Sequence, residues 1–254
     1  MPPDTSRTVP ADPLAPLVAL PEVADAVTSA RAAVDALLTH RVLRRRSAEV
    51  SAESALRGAW AAAQLDGSLV SLDAVRAGEV EDPRVQGALR VSAALGSLAD
   101  TWSLAPRQVL ARLHTLAAAD LVASSEQLGR PGDRVVAGRL DTLAETLATT
   151  RAPAVVVAAV VAGELLALEA FAPATHIVAA AAVRLTLVER GLDPKSLVIP
   201  EVGSLELRAE QADRLAQYRT GTSGGVAGWV AHVASTIALG ARETTAVCEA
   251  LLRG

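Results

Sequence analysis

The chain of 254 residues carries a formal net charge of −4, and its hydrophobic content of 51% contrasts with an aromatic content of only 2%. Its core must therefore consist mainly of Ala, Val and Leu, a composition that favours closely packed helices because alanine has the highest helix propensity. The acidic balance argues against the basic surface of a nucleic-acid-binding protein. Cys248 is the only cysteine, which excludes a disulfide or a thiolate metal site within one chain.

Residues 1–20 are rich in proline and small polar residues and predict an irregular arm without the features of a secretory signal. Residues 21–254 are expected to form one helical domain. In the longest apolar stretch, from Ala152, no uncharged run reaches the roughly 18–20 residues that a membrane span needs. We therefore expect a cytoplasmic protein without membrane contact. The residues that interrupt the longest apolar stretch are Glu164, Glu169, Pro173 and Arg184.

The first half of the chain shows clear helix start and stop signals. Apolar spacing predicts a helix over 21–40, and the run RVLRRR at 41–46 indicates a solvated helix end or linker rather than a nucleic-acid contact. A helix over 51–65 is expected to end at Asp66 and Gly67, because glycine commonly follows a helix C-terminus. Further helix starts are predicted from caps and first-turn prolines at Ser71, Asp82, Pro83, Ala105 and Pro106.

The second half continues the helical pattern. Residues 129–132 (GRPG) predict a turn before the next helix. Helices are also expected over 205–218 and 229–252, with a flexible loop at 221–225. Together the pattern predicts about nine helices with short connections and no alternating strand, which indicates a single all-α domain.

The most informative stretch is 153–200, which predicts two apolar helices around the loop AFAPATH at 170–176. A Gly-ended turn and an extended segment closed by proline follow the second helix. Phe171, in the loop, is the only phenylalanine of the chain. A short loop with a few polar groups between two helices is a common geometry for a ligand site.

This stretch resembles the motif of the Fic (Fido) family, His-Pro-Phe-x-Asp/Glu-Gly-Asn-Gly-Arg-x-x-Arg, which lies between two core helices. With Phe171 aligned on the motif phenylalanine, Glu169 takes the histidine position and Pro173 the acidic position. The resemblance places any bound nucleotide at the motif loop, with Phe171, Ala174 and Thr175. In chain order, the remaining motif positions are occupied by Ala170, Ala174, Thr175, His176, Ile177 and Ala180.

A second resemblance lies in residues 62–67. Fic proteins often carry an inhibitory helix with the pattern Ser/Thr-x-x-x-Glu-Gly/Asn, whose glutamate holds a motif arginine and blocks productive nucleotide binding. Here Ala62 replaces the hydroxyl residue, Asp66 replaces the glutamate, and Gly67 is retained. Because the motif arginines are absent, we predict that this helix serves packing rather than regulation. The likeness extends over roughly residues 50–240.

The resemblance implies nucleotide transfer, but the replaced motif residues remove groups that this reaction needs. In Fic proteins the motif histidine deprotonates a target hydroxyl, which then attacks the α-phosphate of a nucleotide. Glu169 is the candidate base here, although a carboxylate is a weaker base than imidazole unless burial tunes it. Pro173 cannot bind Mg²⁺, which prefers carboxylate and phosphate oxygens. Ala174 and His176, at the glycine positions, obstruct the backbone nest for a phosphate. Ile177 and Ala180, at the arginine positions, remove its guanidinium partners.

Two other polar residues near the motif have alternative interpretations. His176 is either a new base or ligand, or a residue at a helix start whose ring is bound to a backbone carbonyl. Glu164 is expected to be a partly buried acid paired with an arginine. His114, which lies among leucines at helical spacing, is expected to be structural.

Three functions remain as hypotheses. The first is a catalytically degenerate Fic-like protein that binds a protein partner or forms a homodimer, with no cofactor and no nucleic acid. The second is a diverged nucleotidyltransferase with Glu169 and His176 as new acid/base groups, which would use ATP and Mg²⁺. The third is a small-molecule binder that keeps the pocket and has lost the reaction.

Overall fold

The computed structural model describes residues 11–253, and within that range the chain forms twelve α-helices and no strand. The helices of the first half are α1 (Ala15–Val18), α2 (Pro21–Leu38), α3 (Leu43–Leu65), α4 (Leu72–Ala77), α5 (Pro83–Trp102) and α6 (Pro106–Ala118). A short 3-10 turn at Ser125–Gln127 separates them from α7 (Arg134–Thr149), α8 (Ala154–Ala167), α9 (Thr175–Glu189), α10 (Pro200–Glu206), α11 (Arg208–Arg219) and α12 (Ser223–Arg253).

The predicted all-α class is confirmed, and the described part of the chain has more helices than the nine expected. The helix predicted over 205–218 is divided between α10 and α11, and α10 begins at Pro200, where an extended segment was expected to end. Within the predicted arm, residues 15–18 form one helical turn. Residues 1–10 of that arm lie outside the described range.

Two helices begin earlier than their sequence pattern indicates. The prediction of a loop at 221–225 is wrong in its second half, because α12 starts at Ser223. Thr222 precedes this start, and its Oγ1 accepts a hydrogen bond from the Gly225 amide at 3.2 Å. Helix α3 starts at Leu43 within the basic run and has non-helical dihedrals at Arg46. Buried Val42 and Leu43 anchor this extra turn, so burial rather than helix propensity decides its conformation.

The predicted caps are confirmed where the structure tests them. Ser71 Oγ accepts from the Ala74 amide, and an Asp82 carboxylate oxygen accepts from the Arg84 amide beside Pro83. Gly67 has a φ of +94° and follows α3. This left-handed conformation costs glycine little, and it ends the helix directly after Asp66.

The core is built around α8 and α9, which pack against each other and against α3, α5, α6 and α12. Eleven of the fifteen residues of α9 are buried, mostly alanine, valine and leucine. Helix α12 is long and apolar enough to cross a membrane by length and composition, but 67% of its most apolar window is buried inside the protein. That burial is typical of the core helix of a folded domain.

Two glycines allow α10 to lie directly on α12. A Cβ on Gly203 of α10 would collide with the carbonyl of Thr236, and one on Gly240 of α12 would collide with the carbonyl of Ile199. Both obstacles are backbone atoms, which cannot rotate away as a side chain can. The close approach fixes the position of α10, and with it the side chain of Glu201.

Replacing Gly203 with alanine is therefore expected to lower the free energy of unfolding by about 1–3 kcal/mol, because the added methyl group overpacks the contact with α12. Urea denaturation followed by circular dichroism measures the change. Gly96→Ala is the matched control, since an added Cβ at this exposed position in α5 meets no described atom within 4 Å. The free energy of unfolding of that control should rise by about 0.5–1 kcal/mol, because alanine has a higher helix propensity than glycine. Equal stability of the two variants would contradict the close approach.

Candidate functional site

The loop between α8 and α9 is packed inward at its centre. Phe171 is buried, and its ring lies 5.3 Å from the ring of His114 in α6, measured between centroids. The Gly129 amide donates to His114 Nδ1 at 3.0 Å, so the neutral ring carries its proton on Nε2. Burial lowers the pKa of His114 and favours that neutral form. The structural role expected for His114 is confirmed.

Glu169, the candidate base, lies at the end of α8 and points to solvent. Its backbone has a φ of +47°, and its side chain is 76% exposed. The nearest opposite charge is Arg219, at 4.0 Å. An exposed carboxylate of this kind keeps its hydration and is not held toward a substrate by the surrounding residues. Within the described residues, no hydrogen bond or ion pair joins Glu169 to His176.

Asp66, by contrast, reaches the start of α9. The amides of His176 and Ile177 donate to its two carboxylate oxygens at 3.1 and 3.0 Å, and His176 Nδ1 lies 3.0 Å from Oδ1. These amides are at the second and third positions of α9, where a side-chain cap normally accepts. Ala174, at the cap position itself, has no side-chain acceptor. Asp66 therefore caps α9 from a distant part of the chain.

This contact changes the interpretation of two predicted residues. The His176 ring is bound to a carboxylate, not to the backbone carbonyl that we expected. Asp66 was assigned to a helix that only packs, yet its side chain is 94% covered and makes three polar contacts with α9. Since no arginine faces it, the carboxylate binds the positive end of the helix instead. Ala62, earlier in the same helix, is buried in the core.

A cavity of about 40 Å³ lies behind His176, among α8, α9, α10 and α12. Its lining is mainly apolar and includes Ala180, the position of the second motif arginine. The cavity has room for a few water molecules rather than a nucleotide. A wider groove of about 360 Å³ adjoins it and shares Leu65, His176 and Gln211 with it.

Glu201, which lines this cavity, belongs to a buried ion pair. Arg184 Nε lies 2.9 Å from Glu201 Oε1, and each side chain is only 5% exposed. The guanidinium also donates to Ser54 Oγ and to the Val198 carbonyl, both at 2.9 Å. Glu201 Oε2 has no hydrogen-bond partner among the described residues. Burial raises the pKa of Glu201, and the neighbouring guanidinium of Arg184 counteracts this.

Asp193 completes the polar cluster. Its carboxylate accepts hydrogen bonds from the amides of Leu197 and Val198 at 3.0 and 2.8 Å. Burial raises the pKa of Asp193, while these two amides and Arg184 oppose the increase. The cluster fixes the segment that leads into α10.

Glu164, in α8, is bound by side chains from α7 and α11. Arg139 binds it through both carboxylate oxygens at 2.7 Å, and the Tyr218 hydroxyl donates to Oε1 at 2.8 Å. The expected pairing of Glu164 with an arginine is confirmed. Burial, followed by the adjacent carboxylate, raises the pKa of Tyr218 well above its ordinary value, so the hydroxyl stays protonated. In the described part of the chain, no three His, Cys, Asp or Glu side chains converge as metal ligands.

Comparison with solved structures identifies the fold. A Fic family protein from Desulfovibrio desulfuricans superposes with a TM-score of 0.68 at 18% identity, over 90% of this chain and 75% of that one. Fic-1 from C. elegans gives the same TM-score at 15% identity, over 90% of this chain and 73% of that one. The chain has the Fic fold. No protein-family model and no curated protein matches the sequence.

The Fic fold gives the motif-like residues their structural positions. Phe171 and Ala174 are buried, while Ala172 and Pro173 are exposed at the tip of the loop. Ile177, which the resemblance aligns with the first motif arginine, is buried, and Ala180, aligned with the second, is half-buried. Neither side chain carries a charge, so Asp66 is the charged group nearest to the start of α9 in the described contacts.

Sequence reasoning missed the pair of Arg184 and Glu201. Arg184 was noted only because it interrupts an apolar stretch, and Glu201 lies just after the segment that was expected to be extended. A lone arginine in the middle of a helix that is mainly alanine, valine and leucine was the available signal, because a buried guanidinium needs a buried acceptor. The identity of that acceptor depends on the tertiary fold.

Replacing Asp66 with alanine should lower the free energy of unfolding by about 0.5–2 kcal/mol, the usual cost of losing a helix cap. Hydrogen exchange should become faster at the amides of His176 and Ile177 in particular. Asp133→Ala is the comparison, since Asp133 caps α7 through the amides of Val135 and Val136. Asp133→Ala should lower the free energy of unfolding by a similar amount and leave hydrogen exchange in α9 unchanged. Unaltered exchange at both α9 amides in Asp66→Ala would refute the cap.

Replacing Arg184 with methionine should destabilise the protein by about 3–5 kcal/mol, because Glu201 is left buried without its partner. The double variant Arg184→Met/Glu201→Leu should recover most of this loss, since an apolar pair of similar volume often replaces a buried ion pair at little cost. Urea denaturation of the two variants measures the difference. If the double variant is no more stable than the single one, the unpaired carboxylate is not the cause.

Proposed function

We propose that this chain is a catalytically inactive protein with the Fic fold that acts by binding a protein partner. The observation that carries the proposal is the carboxylate of Asp66 on the amides of His176 and Ile177. The resemblance assigns these two positions to the phosphate-binding part of the motif. A carboxylate and a phosphate repel each other, so a nucleotide would have to displace Asp66 and remove the cap of α9.

The surrounding groups support the same proposal. A phosphate that displaced Asp66 would meet Ile177 and Ala180, which cannot offset its charge, and Pro173, which offers Mg²⁺ no carboxylate. Glu169 is exposed, and its one described ionic contact is with Arg219 in α11. The candidate acid and base, Glu169 and His176, are thus not assembled into one site.

A protein partner is proposed because the retained part of the Fic fold is its helical framework. The residues that differ from the motif are those that would handle a nucleotide, whereas the packing of α8 and α9 is kept. The partner is either a second copy of the chain or a different protein. Sedimentation equilibrium of the purified chain distinguishes a homodimer from a monomer.

A specific observation favours small-molecule binding as a second candidate function. Glu201 lines the 40 Å³ cavity, and its Oε2 is buried without a partner among the described residues. A buried carboxylate oxygen without a hydrogen bond is costly, and water or a small ligand in the cavity would relieve that cost. This candidate does not require nucleotide chemistry.

The test of inactivity is titration of the full chain with ATP, with and without Mg²⁺, by calorimetry, together with label transfer from α-labelled ATP. We expect no binding tighter than about 1 mM and no transfer, because neither metal ligand nor guanidinium is available. Asp66→Ala frees the α9 amides, and Glu169→His restores the motif histidine. The double variant of these two should also remain inactive, because the other groups are still missing.

A catalytically active Fic protein run in parallel shows that the assay detects transfer. Mg²⁺-dependent ATP binding or label transfer by the unaltered chain would overturn the proposal in favour of a diverged nucleotidyltransferase. Transfer that is lost in Glu169→Ala and in His176→Ala would assign the rebuilt site to these two residues. Activity only in Asp66→Ala would show that the cap is an inhibitory switch.

A further inference from the structure

A concave basic groove of about 440 Å³ lies where the start of α3 meets the end of α12, away from the motif loop. We call it the arginine groove. Three of its arginines, Arg41, Arg44 and Arg45, are exposed, and none of them lies within 4.0 Å of a described carboxylate. The residues that line the groove are Arg41, Val42, Arg44, Arg45, Arg46 and Leu252.

The floor of the arginine groove is fixed. Val42 and Leu43 are 4% and 7% exposed and hold the basic run against the core. The fourth arginine, Arg46, is bound to Glu49 at 2.6 Å and donates to the Leu251 carbonyl in the last turn of α12. Arg46 thereby joins the two helices. The three exposed arginines project from a rigid base and take no part in this connection.

These three arginines are unfavourably placed for folding. Arg44 and Arg45 lie in the single turn of α3 that precedes the non-helical Arg46, and Arg41 lies just before that turn. Positive charges this close in the chain repel one another. The first turn of α3 contains no acidic residue and has no side-chain cap. The nearby acid Glu249 attracts Arg41 but is bound to His40 at 2.8 Å, and no described carboxylate pairs with Arg44 or Arg45. An external anion would relieve a repulsion that the fold itself leaves in place.

We propose that the arginine groove binds an acidic segment of a partner protein, and this inference specifies the partner class of the proposed function on which it rests. Carboxylates match the fork of each guanidinium in a bidentate pair. Leu252, 39% exposed at the edge of the groove, adds an apolar contact for the aliphatic part of the segment.

A nucleic acid fits the arginine groove less well. None of the aromatic residues of the chain lines it, so bases have no stacking surface there. The basic run covers only residues 41–46, and the whole chain has a net charge of −4, which repels a long polyanion. A short acidic peptide needs only the local positive charge.

The test is fluorescence anisotropy of the full chain with a short labelled peptide of alternating Glu and Ser. A Gln/Ser peptide and a DNA duplex serve as the other ligands. The triple variant Arg41→Ala/Arg44→Ala/Arg45→Ala should bind the acidic peptide at least about tenfold more weakly, because it lacks the three guanidinium partners. The matched control is Arg112→Ala/Arg130→Ala/Arg134→Ala, which removes the same charge from exposed positions elsewhere. It should weaken binding by less than about twofold.

Each other outcome overturns the inference. Equal weakening in both triple variants would show general charge attraction, and tighter binding of the duplex than of the peptide would indicate a nucleic-acid surface. Absence of peptide binding to the unaltered chain would remove the arginine groove as a docking site. None of these results affects the nucleotide assays, so the proposed function is judged separately by ATP binding and label transfer. Circular dichroism verifies that both triple variants are folded.

Discussion

The burial of α9 is the constraint on which the rest of the structure depends. With eleven of fifteen residues buried, the helix cannot satisfy its polar groups with bulk water, so partners must come from elsewhere in the chain. Asp66 at the end of α3 accepts from the amides at its start, and Glu201 at the start of α10 pairs with Arg184 in its middle. The same helix therefore fixes the orientation of α3 and α10. The close contacts of Gly203 and Gly240 then hold α10 on α12.

These interactions explain how the Fic fold is held together in this chain. A helix start next to a loop is an anion site because its amides are unpaired and its dipole is positive there. In this chain an internal carboxylate takes that position, and the stability gained from the cap opposes its replacement by a phosphate. Where the motif would place arginines, Ile177 and Ala180 contribute to the core and to the small cavity instead. The carboxylate of Asp66 at the start of α9 thus accounts both for the retained packing and for the proposed loss of catalysis.

The fold was largely predictable from sequence because its signals are local. Ser71, Asp82 and Gly67 mark helix ends through contacts within a few residues, and each was placed correctly. The errors occur where a distant contact overrides local preference. Gly224 and Gly225 indicate a loop, yet the tight packing of Gly225 on the backbone of Gln217 keeps them in α12. The likeness of residues 62–67 to an inhibitory helix identified Asp66 as notable, but could not supply the backbone amides it binds.

The sequence by itself determined the all-α class and the two apolar helices around Phe171, because both follow from residue type and short-range spacing. Only the tertiary structure decided which polar groups meet. Asp66 and His176 are separated by more than a hundred residues, and Arg184 faces Glu201 only because the chain turns through Asp193 before α10. The residues that the fold packs around a carboxylate decide whether it is exposed, as in Glu169, or buried, as in Glu201. That environment also decides whether the carboxylate caps a helix, pairs with an arginine or remains in water.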